Sequence, residues 1–299
     1  MDGELLRWLY HRLLHDPKLA HTPGHTYGDG LIALIYFFAV LSGRSPKWAC
    51  RRTSWPPWCR AVLPRPLISY AQLNRRLKAN AFQQLVGRLD AELRGRLPRG
   101  DAKVVDGKPL VIGGYSHDRD AAVWGKVPDG WARGYKLHVI IDAASGAIDA
   151  WAVTALQRGE ATVLRRDLLD RVDLRRCTLR GDANYDSNPT YRAVAAAGGR
   201  HVAQRRKAGT GLGHHPQHPD RLRAVRELEQ TPGGLADHKR RRNRVEQVLA
   251  HLGNLSFGLW ALPPFVRRLR RVRPWVAAKI TLYHLHLVLQ LLAAQRAAA

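Results

Sequence analysis

The pattern that most constrains the fold lies in residues 102–207, where β-branched runs alternate with short helical segments. AKVVDGKPLV predicts a first strand, and GYKLHVIIDAASGAIDAWAVT predicts two strands joined by a Ser-Gly turn. GEATVLRRDLLDRV then has helical spacing. TLRGD predicts a fourth strand, PTYRAVAAAGG a helix closed by glycines, and RHVAQRRK a fifth strand. This order of three strands, helix, strand, helix and strand predicts an α/β fold with helices layered on the sheet.

The preceding residues predict an all-helical N-terminal region. LLRWLYHRLL, GLIALIYFFAVL and SYAQLNRRLKANAFQQLVGRLDAEL have helical spacing or length, and Pro/Trp-rich links separate them. We therefore expect a helical region over 1–98, an α/β domain over 99–260, and a basic segment with a C-terminal helix over 261–299. Within the second of these, a Gly/His-rich loop is expected near 208–220.

Two apolar stretches raise the question of a membrane span. Residues 31–41 are about half the length that a spanning helix needs. Residues 275–294 are longer, but Lys279, His284, His286 and Gln290 interrupt them. Both stretches therefore predict buried helices of a soluble protein. The N-terminus carries early charges and has no uninterrupted apolar core, so we do not expect a secretory signal. We expect a cytoplasmic location instead.

The charge balance indicates a polyanionic partner. Lysine and arginine number 49 against 24 acidic residues, which gives a formal net charge of +25 and a pI near 11.0. Such an excess repels itself unless an anion offsets it, and nucleic acid does so with release of counterions. A membrane surface is the weaker interpretation, because no basic amphipathic anchor stands out. We expect nucleic acid as the partner and no membrane.

The cysteines exclude two small-protein architectures. Cys50, Cys59 and Cys177 are odd in number and form no C-x-x-C motif. The sequence therefore predicts neither a disulfide scaffold nor a zinc ribbon, and it fits a reducing compartment.

Three acidic residues occupy places where a metal ion can use them. Asp106 interrupts a valine-rich strand, where a charge needs a function or a partner. Asp182 follows the fourth predicted strand, and the carboxyl ends of strands are favoured positions for sites. Glu246 lies on a late helix, beside a stripe that begins at Val245 and continues through positions 248, 249 and 252. Glu246 can therefore point towards the sheet.

These acids support two interpretations. Gathered around one point, three carboxylates need a cation, and oxygen-only ligands suit Mg²⁺ or Mn²⁺. Two such ions can hold the attacking and leaving oxygens of a phosphodiester displacement. Alternatively, each acid has a local structural role: Asp106 and Asp182 in turns, and Glu246 as an i, i+4 partner of Arg242. The order of all three acids along the chain favours the metal site.

Other polar groups suggest contacts with DNA. The candidates lie on the second predicted strand, at the end of the fifth strand and along the late helix: Lys136, Arg205, Arg206, Lys207, Lys239, Arg240, Arg241, Arg242 and Arg244. Salt-bridged solvent-exposed faces are the alternative, although few acids lie near the late helix to pair with. His214, His215 and His218 suit a transition metal, but a loop near DNA is favoured over a zinc site.

The segments that carry the acids resemble a known family. VVDGKPL, GYKLHVIIDAASG, RGDANYDSNPTYRAVAAAG and RRRNRVEQVLAHLGNL resemble the catalytic domain of insertion-sequence transposases of the DDE class, over about residues 100–260. The helical segment SYAQLNRRL is similar to the one that precedes that domain in such transposases. The strand order is also that of the ribonuclease-H-like fold. The resemblance therefore implies a ribonuclease-H-like mixed sheet flanked by helices.

The resemblance also implies a site and an activity. Asp106, Asp182 and Glu246 would be the catalytic metal-binding triad, with two Mg²⁺ or Mn²⁺ ions. In the family pattern Y-x2-R-x3-E-x6-K, Arg242 holds the arginine position, whereas Lys239 and Gly253 replace the tyrosine and the lysine. The implied activity is metal-dependent cleavage and strand transfer at insertion-sequence ends, by a homo-oligomer on double-stranded DNA (the inverted-repeat ends and the target). The implied location is the bacterial cytoplasm, in association with the nucleoid. A non-catalytic DNA-binding relic or regulator, and a metal-dependent nuclease on the same fold, remain as alternatives.

Overall fold

The chain forms two compact units. The structure, a computed structural model, describes residues 2–20, 23–113, 116–207, 211–212, 214–255, 258–259 and 262–298. One unit consists mainly of Met1–Arg96 together with Pro263–Ala299, and the other consists mainly of Leu97–Ser256. The C-terminal helix therefore belongs to the same unit as the N-terminal helices.

The first unit is helical, as the sequence predicts. Its helices are α1 (Asp2–Leu14), α2 (Pro17–Ala20), α3 (Asp29–Leu41), α4 (Pro46–Ala49), α5 (Pro57–Val62), α6 (Tyr70–Arg76) and α7 (Asn80–Gly95). The C-terminal helix α12 (Leu269–Ala298), which follows the second unit in sequence, also belongs to it. Helix α3 is buried from Gly30 to Leu41, so this apolar stretch is a core helix as expected. Its Phe38 stacks on Trp48 and Trp55.

The C-terminal helix packs along α7. His284 lies 2.7 Å from the carboxylate of Asp90, and both the Thr281 hydroxyl and Arg94 also reach that carboxylate. By length and composition this is the one helix in the described ranges that is apolar enough to cross a membrane. However, 56% of its most apolar window is buried inside the protein, as in the core helix of a soluble protein.

One predicted helix is two helices in the structure. The stretch 69–93 begins with a capping box, in which Ser69 and Gln72 satisfy each other's backbone groups. Helix α6 ends at Arg76, and Ala79 has an extended backbone before α7 begins. Leu73 and the α7 stripe from Phe82 to Leu93 are nevertheless all buried. The spacing of apolar residues continues across the break, and the spacing alone therefore predicted a single helix.

The second unit contains a six-stranded mixed sheet. Its elements are β1 (Ala102–Val111), β2 (Trp124–Val127), β3 (Gly130–Asp142), β4 (Ile148–Ala155), α8 (Glu160–Val163), β5 (Thr178–Gly181), α9 (Asn188–Ala196), β6 (Arg200–Ala203), α10 (Pro219–Val225) and α11 (Gly234–Ala250). After α8 the chain continues helically to Arg171. The short strand β2, which pairs with the start of β3, was not predicted.

The strand order matches the predicted topology. Strand β3 lies between β1 and β4 and runs antiparallel to both, and its turn into β4 uses Gly146 with φ of +76°. On its other side β1 pairs in parallel with β5, and β5 pairs in parallel with β6. Apart from the short β2, the strands therefore have the order β4-β3-β1-β5-β6 across the sheet, which is the ribonuclease-H-like arrangement.

Helices cover both faces of this sheet. On one face a core of Val105, Ile140, Leu164, Leu168 and Leu179 joins β1, β3 and β5 to the helical segment after β4. On the other, α11 packs against β1 and β5. Its predicted stripe is buried at positions 245, 248, 249 and 252. The most buried ion pairs of the sheet join Lys103 to two carboxylates, at positions 142 and 149.

Candidate metal and DNA site

The register of the parallel strands brings the first two predicted acids together. Val104 of β1 lies beside Arg180 of β5, and the strands run in the same direction. Asp106 and Asp182 come two residues after this pair, and their carboxylate oxygens lie within 4.8 Å of each other. The carboxyl ends of β1 and β5 lie together where the strand order reverses, and such a switch point is a favoured place for a binding crevice. The sequence prediction that these acids share one place is consistent with this register.

A third acid completes a close group. Asp106, Glu160 and Asp182 each offer a carboxylate oxygen, and the three oxygens lie within 4.8 Å of one another. Among the described residues this is the group of His, Cys, Asp and Glu side chains with spacing suited to a metal ion. Glu160 is the first residue of α8, and the sequence interpretation did not include it. The feature of the sequence that could have indicated it is its place directly after Gly159, at the start of a predicted helix.

The position of Glu160 depends on a glycine in β1. Side chains alternate along a strand, so Asp106 points towards α11 while Gly107 faces α8. A Cβ atom built on Gly107 would lie 2.9 Å from both Cδ and Oε1 of Glu160. The absence of a side chain at position 107 therefore leaves the space that the glutamate carboxylate occupies.

The side chain of Asn184 bridges Glu160 and Asp182, and Lys136 adds an ion pair to Glu160. The side-chain amide of Asn184 donates to Oδ2 of Asp182 at 3.2 Å and to Oε2 of Glu160 at 3.3 Å. The backbone N–H of Asn184 also donates to Oδ1 of Asp182 at 2.8 Å. The ammonium of Lys136, on β3, lies 2.9 Å from Oε1 of Glu160. This partly buried ion pair offsets some of the negative charge of the group.

The electrostatics of Asp106 reflect its crowded position. Only 13% of its side chain is exposed. Burial, and then the charges of Asp182 and Glu246, raise the pKa of Asp106 to about 7, although the Gly107 N–H and Arg242 act in the opposite direction. Arg242 is 4.0 Å from the Asp106 carboxylate. A carboxyl group whose charge is disfavoured in this way gains from a cation placed beside it.

Glu246 lies on α11, near the group but outside it. Its side chain is exposed, and its charge contributes to the raised pKa of Asp106. The structure therefore places the third acid of the predicted triad within electrostatic reach of Asp106, whereas the close group of three contains Glu160. The prediction that Glu246 binds a metal ion stays a prediction.

Two buried donors next to the acids have no hydrogen-bond partner within the described part of the chain: the Tyr185 hydroxyl and Nε of Arg242. Tyr185 is fully buried, and its pKa is raised well above its usual value by burial and by the charges of Glu160, Asp106 and Asp182. Orphaned buried donors are rare, and they commonly mark an additional ion, water or ligand. Together with an all-oxygen donor set, they fit a hydrated Mg²⁺ or Mn²⁺ ion.

The basic residues predicted to bind DNA fall into four groups. Lys136 and Arg242 face the carboxylates. Arg240 and Arg241 pair with Asp237 on the exposed side of α11, and Arg205 pairs with Glu229. Arg206 donates to the backbone carbonyl of Ala183, and Arg244 donates to Gln247 and to the Ser145 carbonyl. The remaining two, Lys207 and Lys239, have exposed side chains. DNA binding by any of them stays a prediction.

The histidine loop has a local structural role where it is described. The ring of His218 caps α10 by accepting from the Asp220 N–H. His214 and His215 are exposed, and residues 208–210 and 213 lie outside the described residues. Within the described residues these histidines form no group with metal-ligand spacing.

Comparisons with known proteins give a family match over most of the chain. A family model described as a transposase DDE domain matches residues 98–284, which is more than half of the chain and includes all four acids discussed above. No protein among the curated sequences matches the chain. Among solved structures, the chain is similar to a piggyBac transposase in a synaptic complex with hairpin DNA, determined by cryo-EM. That match has 9% identity and a TM-score of 0.48, and it covers 96% of this chain and 72% of the other. From the family match, the chain belongs to the transposase DDE domain family, and its function is that of a transposase.

Proposed function

We propose that this transposase catalyses metal-dependent DNA cleavage and strand transfer at the ends of an insertion sequence. The observation that carries the proposal is the side-by-side placement of Asp106 and Asp182 by the pairing of β1 with β5. Members of the family generally use divalent metal ions and bind DNA. The excess of 49 basic over 24 acidic residues supports a DNA substrate.

Asp106 and Asp182 would hold Mg²⁺ or Mn²⁺, with Glu246 as the third acid of the triad that the family resemblance implies. When bound, two such ions stabilise the charge on the attacking and leaving oxygens of a phosphodiester. Cleavage uses water as the nucleophile and frees a 3′-hydroxyl, and joining uses that hydroxyl on a target strand. Both are in-line phosphoryl transfers, so neither requires a covalent bond between protein and DNA.

The cations beside the acids orient the substrate and reduce repulsion. Arg242 lies 4.0 Å from Asp106, and its buried Nε is a donor without a partner among the described residues. A DNA phosphate oxygen is a suitable acceptor for this group, because guanidinium–phosphate bonds are charge-assisted. The exposed Lys207 and Lys239 would contact the backbone further from the scissile bond. The helical region 1–98 would bind the terminal repeat.

The active assembly would be a homo-oligomer on paired DNA ends, since cutting and joining two ends needs two active sites. Family members are generally soluble and cytoplasmic. We propose in addition that this chain resides on the bacterial nucleoid, because a chain with a net charge of +25 concentrates on DNA.

The test is nicking and joining of a labelled duplex that carries the inverted repeat found beside the gene. The native chain is compared with Asp182→Ala, and with Asp129→Asn as a control that removes an exposed acid from the β2–β3 turn. We expect Mg²⁺-dependent nicking and joined products from the native chain and from the control, and neither from Asp182→Ala or with chelator.

Other outcomes separate the remaining functions. Nicking without joined products would indicate a structure-selective nuclease on the same fold. Tight DNA binding with no difference between the native chain and Asp182→Ala would refute catalysis and leave a DNA-binding relic or regulator.

A further inference from the structure

The acid at the start of α8 is not part of the triad implied by the family resemblance, yet its side chain is 88% shielded from solvent and turned towards the other acids. Burying a carboxylate is unfavourable unless charged and hydrogen-bonding partners compensate for lost water. Glu160 has such partners in Lys136 and Asn184, on two different elements of the fold. The placement is therefore specific to this position and differs from that of a solvated first-turn acid.

We propose that Glu160 is a ligand of the divalent-ion site, together with Asp106 and Asp182. The inference rests on the proposed function, because it assigns a further ligand to that same site. One reason is the geometry: the three carboxylate oxygens lie within 4.8 Å of one another, a separation that lets all three contact one cation.

A second, independent reason is the fully buried Tyr185 hydroxyl. Among the described residues it has no hydrogen-bond partner, and the charge of Glu160 is the largest of the charges that raise its pKa. A buried hydroxyl beside three acids is satisfied by a water molecule of a hydrated cation, because such a water donates to the hydroxyl oxygen. The hydroxyl therefore points to an ion at the place where Glu160 meets the two aspartates.

The alternative is that Glu160 only neutralises Lys136. That role requires one carboxylate oxygen, Oε1, which lies 2.9 Å from the ammonium. It does not require that Oε2 share the amide of Asn184 with Asp182, nor that position 107 lack a side chain. These two features instead bring the carboxylate towards the other acids.

The two roles predict opposite effects for the two partners of the ion pair. If Glu160 is a ligand, Glu160→Gln weakens ion binding, whereas Lys136→Met maintains or strengthens it by removing a competing positive charge. If the pair is only structural, both variants disturb the site in the same direction. Glu160→Gln is nearly isosteric, and Gly107→Ala provides a second variant that keeps the charge but displaces the carboxylate.

The experiment titrates Mn²⁺ alone into the full chain and follows the free-ion signal by electron paramagnetic resonance. We expect Glu160→Gln to weaken Mn²⁺ binding at least tenfold, comparable to Asp182→Asn, and Gly107→Ala to weaken it severalfold. Asp170→Asn, which removes an exposed acid from the same helical segment, should match the native chain. Circular dichroism and a thermal melt in chelator confirm that each variant is folded.

Each result bears on one proposal. Native affinity in Glu160→Gln together with a loss in Asp182→Asn would overturn the assignment of Glu160 and leave the proposed metal site standing. Equal weakening in Glu160→Gln and Lys136→Met would also overturn it, in favour of a structural ion pair. No saturable Mn²⁺ binding by the native chain, with Asp182→Asn unchanged from it, would refute the proposed metal-dependent function itself.

Discussion

Replacing Asp106 with Asn is expected to stabilise the metal-free protein while it removes activity. The pKa of Asp106 rises from its ordinary value of 3.8 to about 7, first because of burial. Between these two values the folded protein holds a proton that the unfolded chain has released. The free energy of unfolding therefore falls as the pH rises through this window, and the contribution of this proton is fully lost above the folded pKa.

The size of the effect follows from this difference in pKa. Each pKa unit corresponds to about 1.36 kcal/mol, so a difference of roughly three units corresponds to about 4 kcal/mol at high pH. Part of this difference is already present at mildly acidic pH. Linkage therefore predicts that, between about pH 5 and about pH 8.5, the native chain loses about 3 kcal/mol relative to Asp106→Asn. The Asn side chain retains an oxygen for the Gly107 N–H, which donates to Asp106 at 2.8 Å.

The assay is urea denaturation in chelator, followed by circular dichroism at several pH values. The difference between the two free energies of unfolding should grow with pH, whereas Asp129→Asn should show no such trend. Saturating Mg²⁺ should remove the trend in the native chain, because a bound cation favours the ionised carboxylate. A difference that is constant across the pH range would refute the argument, since it would mean that Asp106 ionises as readily in the folded as in the unfolded chain.

Three further predictions concern other buried groups and the metal. Lys103→Met leaves the carboxylates of Asp142 and Asp149 buried without their cation, so the free energy of unfolding in urea should fall by about 3–5 kcal/mol. Burial lowers the pKa of His201 from 6.5 to about 4, so the native chain should lose up to about 3 kcal/mol relative to His201→Gln as the pH falls from about 6.5 to about 4. Equal pH profiles of unfolding for the native chain and His201→Gln would contradict this prediction. Millimolar Mg²⁺ should raise the melting temperature of the native chain but not of Asp182→Asn, and a rise in both would show that the ion binds elsewhere.

Much of the fold follows from local sequence patterns. The alternation in GYKLHVIIDAASGAIDAWAVT and its Ser-Gly turn predicted the hairpin of β3 and β4. The parallel strands β5 and β6 were predicted because they are short segments on either side of the helix PTYRAVAAAGG, which is closed by glycines. The stripe of α11 was found because its period of 3.6 residues continues over two turns.

The missed features depend on contacts that are distant in sequence. Strand β2 has only four residues, and it is a strand because it pairs with the start of β3. The break between α6 and α7 leaves the spacing of buried residues unchanged, so periodicity does not detect it. The membership of α12 in the helical unit results from packing against α7, nearly two hundred residues earlier, as in the 2.7 Å contact between His284 and Asp90.

The site shows the same division between local and distant information. Asp106 and Asp182 could be predicted because each is a charge out of place in its own strand or strand end. Glu160 is ordinary in sequence, since acids are common in the first turn of a helix, where they favour the helix dipole. Its position beside the two aspartates depends on β1, where position 107 has no side chain, and on β3, which supplies Lys136. Neither relation can be read from the residues next to it.

For the basic residues, the sequence predicts more DNA contacts than the structure supports. A count of arginines and lysines predicts a broad DNA-binding surface, but several of these residues form ion pairs with acidic residues of the protein. Lys136 pairs with Glu160 and Arg205 pairs with Glu229, so their charges already have partners within the protein. A cation paired in this way contributes less to DNA binding, because binding releases counterions only where a phosphate replaces solvent ions. The salt dependence of DNA binding should therefore fall more for Lys239→Ala than for Arg205→Ala. An equal change in both slopes would show that pairing within the fold does not limit which cations contact DNA.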